Sequence, residues 1–424
     1  MNDTIQVNKL NAFIDQLTKT DLPFSKDIIA ISDATIASND FPTTRTEAWK
    51  YTRVGKISSI HGNDSELIID KISDSHIIDA NALTFVFENG ELIQQFSNKE
   101  IPKGLDIKSI SQASETELAL IGKNVKLEKE VFNSLNTSYA TDGIFVKIDD
   151  KIQLEQTIQI IHIVTGENTI SNMRNLIQIG RFSEAKIIFG YFSSEATSSF
   201  TNVVTEIFVS ENAKLTADKI QYESAGNFHV STEQVAQEKN SNFSINTITL
   251  NGTLVRNNLN IEIDGSNCET HLNGVYLLKE NQHVDNHTIV DHKAPHCESH
   301  ELYKGVIDDK ATAVFNGKVF VRKDSQKINA FQSNANVLLS DDASVNSKPE
   351  LEIYADDVKC SHGSTTGQLN EEAVFYLRAR GISKKSARHL MVSAFIEDVI
   401  SKIKNEEVTN FTHSIIKEQF GWEF

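Results

Sequence analysis

The feature that most restricts the fold is a stretch of some 200 residues, about 140 to 355, in which short β-branched and aromatic runs follow one another without a long helical period. Thr157 to Val164, Ala185 to Phe192, Phe243 to Leu250, Leu272 to Leu278 and Thr312 to Val321 all have the length and composition of strands. Between Asn258 and Asp264 the alternation is strict, with Leu259, Ile261 and Ile263 on one face and polar residues on the other. The dipeptides Asn251-Gly252, Asp264-Gly265, Asn273-Gly274 and Asn316-Gly317 are hairpin signals and favour an antiparallel sandwich or barrel. Against them, Asn251-Gly252 and Asn273-Gly274 stand 22 residues apart, near the length of one solenoid coil, and Asn, Ser and Asp recur between the strands. The residues alone leave both architectures open.

The flanks have a different texture. Residues 3 to about 20 carry Ile5, Leu10, Phe13, Ile14 and Leu17, helix-spaced from Leu10 onward. Phe41 to Thr52, FPTTRTEAWKYT, follows, with Pro42 restricting its predecessor and Thr46 able to cap a turn. Leu83 to Phe87, Glu91 to Phe96 and the polar Ser109 to Glu117 complete a helical or small α/β domain, taken as residues 1–125, ahead of a core at 126–368. In the last region, 369–424, Asn370 caps a short helix ended by Gly381, Ser383 caps a second, and a third runs from about Val408 to Phe420. Helices this short cannot bury all their apolar faces among themselves, so they need the β core or a partner.

Composition removes several function classes. With 58 acidic and 41 basic residues the chain carries a formal charge of −17, a field that repels nucleic acid and anionic membrane. Three cysteines, Cys268, Cys297 and Cys360, are too few and scattered for a disulfide framework, and a reducing cytoplasm is expected. Neither a secretory signal nor an apolar run long enough for a membrane helix is evident. There is no phosphate loop, dinucleotide fingerprint, nucleophile elbow or zinc-protease helix, so an enzyme is not expected.

Three clusters carry potential chemistry. His283, His287, His292, His296, Cys297 and His300 are of metal-ligating type, and residues four apart in a strand share a face; the bland alternative is a set of imidazoles bonded to Asp285, Asp291 or Glu298. The sharper alternative, a metal-dependent hydrolase or isomerase, rests on the same histidines. Cys360 and His362 are two apart and would face the same way, either as part of a soft-metal site that a neighbour must finish or as a buried Cys beside a hydrogen-bonded His. Arg45, Glu47, Trp49, Lys50 and Tyr51 suggest either a ligand site or an anchor in which both aromatics dock and Arg45 pairs with Glu47.

Taken together, FPTTRTEAWKYT, Asp142 to Val146, the HxxxHxxxxH of His283, His287 and His292, ESHELYKGVIDDKATAVFNGKVFV at 298–321, DDVKCSHGSTTGQL at 356–369 and RARGISKKSARHLMVSAFIEDV at 378–399 resemble the SufB/SufD family of iron-sulfur cluster assembly proteins. The resemblance spans nearly the whole chain. It implies a mainly β fold, with a right-handed parallel β-helix between helical terminal domains. It also implies a scaffold that pairs through its β-helix with SufB and docks the SufC ATPase on residues 370–424, in a complex of one SufB, two SufC and one SufD. A nascent cluster would form at the junction with SufB, with His362 as the matching ligand and Cys360 beside it. SufB-type chains carry a catalytic Cys upstream and a Glu directly after the matching His; here LLSDDASV at 338–345 has no Cys, and Gly363 follows His362, which places the chain on the SufD side. The isolated chain would hold no cofactor. Reduced flavin is associated with the family's complex, yet no flavin fingerprint is present, and a homodimer is the alternative assembly for the chain alone.

Overall fold

In the computed structural model, described over residues 8–62, 74–95 and 100–421, the β-branched runs of the middle region become strands. Ile5 and Phe96 lie outside the described residues. The first strands are β1 (Leu83–Glu88), β2 (Glu91–Gln95), β3 (Leu105–Ser109) and β4 (Ile144–Ile148). They are followed by β5 (Ile158–Glu167), β6 (Ile170–Ile179), β7 (Glu184–Thr197), β8 (Phe200–Val209) and β9 (Lys214–Tyr222). Next come β10 (Phe228–Gln237), β11 (Asn242–Asn251), β12 (Leu254–Ile263), β13 (Glu269–Leu278) and β14 (His283–His292). The last are β15 (Glu298–Ile307), β16 (Thr312–Val321), β17 (Ile328–Leu338), β18 (Ser344–Ile353) and β19 (Val358–Gln368).

From β4 onward each strand pairs in parallel with the strand two places further along, so odd strands build one sheet and even strands the other. A parallel pair needs a connection of about a dozen residues or more. Here the strand of the opposite sheet is that connection, and the result is a parallel β-helix. Side chains bonded across neighbouring coils are separated by 27, 29 or 31 residues, so one coil is longer than the 22-residue spacing of the Asn-Gly pairs. The sheets reach back past residue 126: β1 pairs in parallel with β5, while β2 on β1 and β3 on β4 are antiparallel and close the first end.

The hairpin signals have other uses. Asn251-Gly252 does turn, with Gly252 at φ +135°, but the strands it joins belong to different sheets. Gly274 and Gly317 lie inside strands. A Cβ on Gly274 would stand 2.2 Å from the Tyr303 ring, and one on Gly305 would stand 2.1 Å from Tyr276. Tyrosine and glycine therefore alternate on neighbouring coils so that two large rings fit one lumen.

The helices cover the outer faces. Those on the N-terminal side are α1 (Lys9–Ile14) and α2 (Lys26–Ser38), joined by α3 (Val131–Tyr139) from beyond residue 125. Leu10, Phe13, Phe41, Trp49 and Phe132 pack with Phe200, Phe228 and Leu254 on the even sheet. The last region forms α4 (Glu371–Ala379), α5 (Lys384–Ile400) and α6 (Glu406–Phe420), with Asn370 and Ser383 capping α4 and α5. Val392, Ile396, Val399, Ile415 and Ile416 pack on Val275, Leu277 and Val306 of the odd sheet. The stripe on α5 thus finds the β core. On α4, Phe375 and Tyr376 stay 70% and 56% exposed, and on α5 Leu390 is 52% exposed. No helix among the described residues is long and apolar enough to cross a membrane.

Candidate partner interface and ligand site

β18 and β19 are the outermost strands of their sheets, and no described strand pairs beyond them. Both are half-buried or exposed along their whole length, unlike the strands before them. In an in-register parallel ladder, paired residues point the same way, so a column of side chains runs from coil to coil. One inward column reads Leu272, Glu301, Gln332, His362. Gln332 Nε2 donates to Glu301 Oε2 at 2.6 Å, and burial pushes the Glu301 carboxyl up to about 7. His362, at the end of the column, is exposed.

A second inward network reaches the same edge. Tyr276 Oη donates to Asn336 Oδ1 at 2.6 Å, and Asn334 Nδ2 donates to Tyr276 Oη at 3.0 Å. Ser347 donates to Asn334 Oδ1 at 2.9 Å, and Ser364 of the last strand donates to Ser347 at 2.7 Å. The lumen therefore ends in hydroxyls, amides and an imidazole rather than in an apolar plug.

Cys360 pairs with Ala330 and is half-buried against the lumen core, where burial pushes its thiol up. It shares a face with His362, as their spacing predicts. Among the described residues no group of three or more His, Cys, Asp or Glu is placed to hold a metal ion.

The histidine run divides into separate tasks. His283 Nε2 lies 2.9 Å from Thr52 Oγ1, and His287 Nε2 lies 3.0 Å from Asp285 Oδ1. His292 is inside, bonded to Ser299 at 2.9 Å, with its pKa lowered to about 4 by burial. His296 occupies a turn at φ +62°, and His300 stacks between His271 and Phe331 with centroids 5.3 and 5.4 Å away. Burial also lowers the pKa values of His283 and His287. Shared strand faces do not make these imidazoles converge: hydrogen-bonding partners claim His283, His287 and His292, a turn carries His296, and a ring stack holds His300.

The charged and aromatic residues of the N-terminal motif form a clasp instead. Thr52 also donates to Asp285, which pairs with Arg256. Arg256 donates to the Ala48 carbonyl at 2.8 Å and lies 4.1 Å over the Trp49 ring. Burial raises the Asp285 pKa, but Arg256 and His287 outweigh it and hold the carboxyl below the usual range. Glu47 pairs with Lys348 at 3.0 Å, in place of the expected partner Arg45. Trp49 is the anchor, while Tyr51 is 42% exposed. Arg256 and Asp285 were not legible as a site, since neither belongs to the motif they hold.

The chain matches the SUF system FeS cluster assembly, SufBD core domain over residues 162–395, and the SufBD protein N-terminal region over 29–160. An iron-sulfur cluster assembly SufBD family protein of Synechocystis is 30% identical, across 87% of this chain and 85% of its own length. SufD of Escherichia coli is 28% identical over 86% of each chain, and the chloroplastic protein ABCI7 of Arabidopsis thaliana is 29% identical over 91% of this chain and 84% of its own. With the parallel β-helix and both matched regions in order, the chain belongs to the SufB/SufD family of iron-sulfur cluster assembly proteins.

Proposed function

We propose that this chain is the SufD-type half of a cytoplasmic scaffold whose last coil joins the β-helix of a SufB-type subunit, and that His362 serves there as a ligand to a nascent iron-sulfur cluster. The observation that carries this reading is the open end: β18 and β19 offer two unpaired strand edges, with His362 exposed where the inward column runs out. An unpaired edge is a template for strand addition. Imidazole suits iron, Cys360 is the second donor on the same face, and the missing thiolate and carboxylate come from the partner. Iron and sulfide are cargo of the complex, as is any reduced flavin, and the chain itself catalyses nothing.

The exposed Phe375, Tyr376 and Leu390 form an apolar patch suited to a SufC-type ATPase. Because α4 begins directly after β19, nucleotide-driven movement of that ATPase reaches the junction over a short path. Coexpression with SufB-type and SufC-type subunits tests the assembly; failure of the wild-type chain to copurify with either removes the heterocomplex, and a stable homodimer alone favours self-pairing. His362→Ala leaves the complex assembled and lowers cluster yield on reconstitution. An unchanged yield removes the ligand role.

A further inference from the structure

Two of the three cysteines, widely separated in sequence, become neighbours on adjacent coils. Cys268 immediately precedes β13 and Cys297 immediately precedes β15, and the ladder between these strands opens on Glu269 opposite Glu298. The Glu298 amide donates to the Cys268 carbonyl at 2.9 Å, which fixes the register one residue earlier. Neighbouring strands lie about 4.7–4.9 Å apart, inside the Cα separation of roughly 4.4–6.8 Å that a disulfide spans. Both sulfurs lie against the same carbonyl, that of Gly265, at 3.2 and 3.3 Å.

The pair is buried, at 2% and 0% exposure, and its surroundings are unequal. Cys268 Sγ lies 3.0 Å from the Glu238 carbonyl, 3.2 Å from that of Gly265 and 3.5 Å from the Ser241 hydroxyl. Cys297 Sγ donates to the Gly265 carbonyl at 3.3 Å and the Pro295 carbonyl at 3.4 Å. The neighbouring Cys297, helped by Ser241 and backbone amides, lowers the Cys268 thiol to about 7 against its burial. The same neighbour relation, with burial, pushes Cys297 up. Two adjacent thiols in unequal surroundings can supply an attacking and a resolving cysteine. Packing alone asks only for a small apolar side chain here.

We propose that Cys268 and Cys297 form a redox-sensitive dithiol that closes into a disulfide between adjacent coils on exposure to hydrogen peroxide. The Cys268 thiolate attacks one peroxide oxygen, the O–O bond breaks, and hydroxide leaves and takes a proton from solvent, giving a sulfenic acid and water. Cys297 sulfur then attacks the Cys268 sulfur; the S–O bond breaks, and the thiol proton leaves with the oxygen as a second water. Both thiols are oxidised by one electron each, and the peroxide is reduced to two waters. The site is independent of His362 and of the assembly role.

The full-length chain, reduced under anaerobic conditions, is titrated with hydrogen peroxide, quenched with catalase, denatured and alkylated, then measured by intact mass and peptide mapping. The expected result is a fall from three alkylatable thiols to one, a mass loss of two hydrogens before alkylation, and a linked peptide joining Cys268 to Cys297. Cys360→Ser keeps the link, while Cys268→Ser and Cys297→Ser lose it. Three alkylatable thiols after oxidation, a link through Cys360, or Cys268 trapped as a sulfinic acid without a link would each overturn the proposal. The wild-type map decides this even if a variant misfolds.

Discussion

At the first end of the β-helix the lumen holds Phe85, Phe87, Leu83, Ile158, Ile160 and Phe189, whereas toward the last coil the columns of Phe85 and Phe87 hold Tyr303, Asn334 and Asn336, and the column of Leu83 holds Glu301 and Gln332. The first end is closed by antiparallel β2 and β3; the last ends at two unpaired strands. Apolar burial of about 25 cal/mol per Å² stabilises the closed end without regard to direction. Hydrogen-bonded amides and hydroxyls contribute less net energy but fix one arrangement, and they cost free energy when unpaired. The difference is between a closed, apolar end and an open, hydrogen-bonded one, and the proposed partner site rests on that contrast.

Phe189→Ala, in the closed lumen, should have the largest effect on stability, a loss of about 3–5 kcal/mol by denaturant unfolding. A loss under about 1 kcal/mol would mean that the apolar end does not dominate and would break the contrast. Glu301 gives an intermediate effect with a definite sign. Its carboxyl is raised by burial from 4.5 to about 7, so the folded chain holds a proton that the unfolded chain releases. That contribution is fully present below pH 4.5 and is lost as pH rises through about 7. A tenfold difference in proton affinity between the folded and unfolded chain is worth roughly 1.36 kcal/mol. Relative to Glu301→Gln, the wild type should therefore lose about 3 kcal/mol of stability across this range of pH. Parallel stability curves for the two proteins would show that Glu301 is not protonated in the folded state.

Strand positions and most helix caps were legible because both depend on neighbours in sequence: alternation marked β12, and Asn370 and Ser383 cap where expected, whereas the Thr46 side chain makes no capping bond. Whether two strands share a sheet is a long-range matter, and a turn glycine looks the same in sequence as Gly274 beneath the Tyr303 ring. The residue pattern therefore balanced sandwich against solenoid, and the family resemblance resolved it. The shared face of Cys360 and His362 followed from strand periodicity. The dispersal of the 283–300 histidines did not, since Thr52, which claims His283, comes from another region, and Ser299, which claims His292, sits on the opposite sheet. For the same reason the meeting of Cys268 with Cys297 required the coil length, which the Asn-Gly spacing misstates.

His362→Ala should have the smallest effect on the chain alone, less than about 0.5 kcal/mol, because an exposed side chain on an end strand loses little burial. Its value lies in being silent there while lowering cluster yield in the assembled complex. If unfolding instead shows a cost above about 2 kcal/mol, a magnitude that needs a buried contact, the imidazole is closing its own lumen. The last coil would then be a cap, the two ends would differ only in polarity, and a partner would have to be sought on another surface.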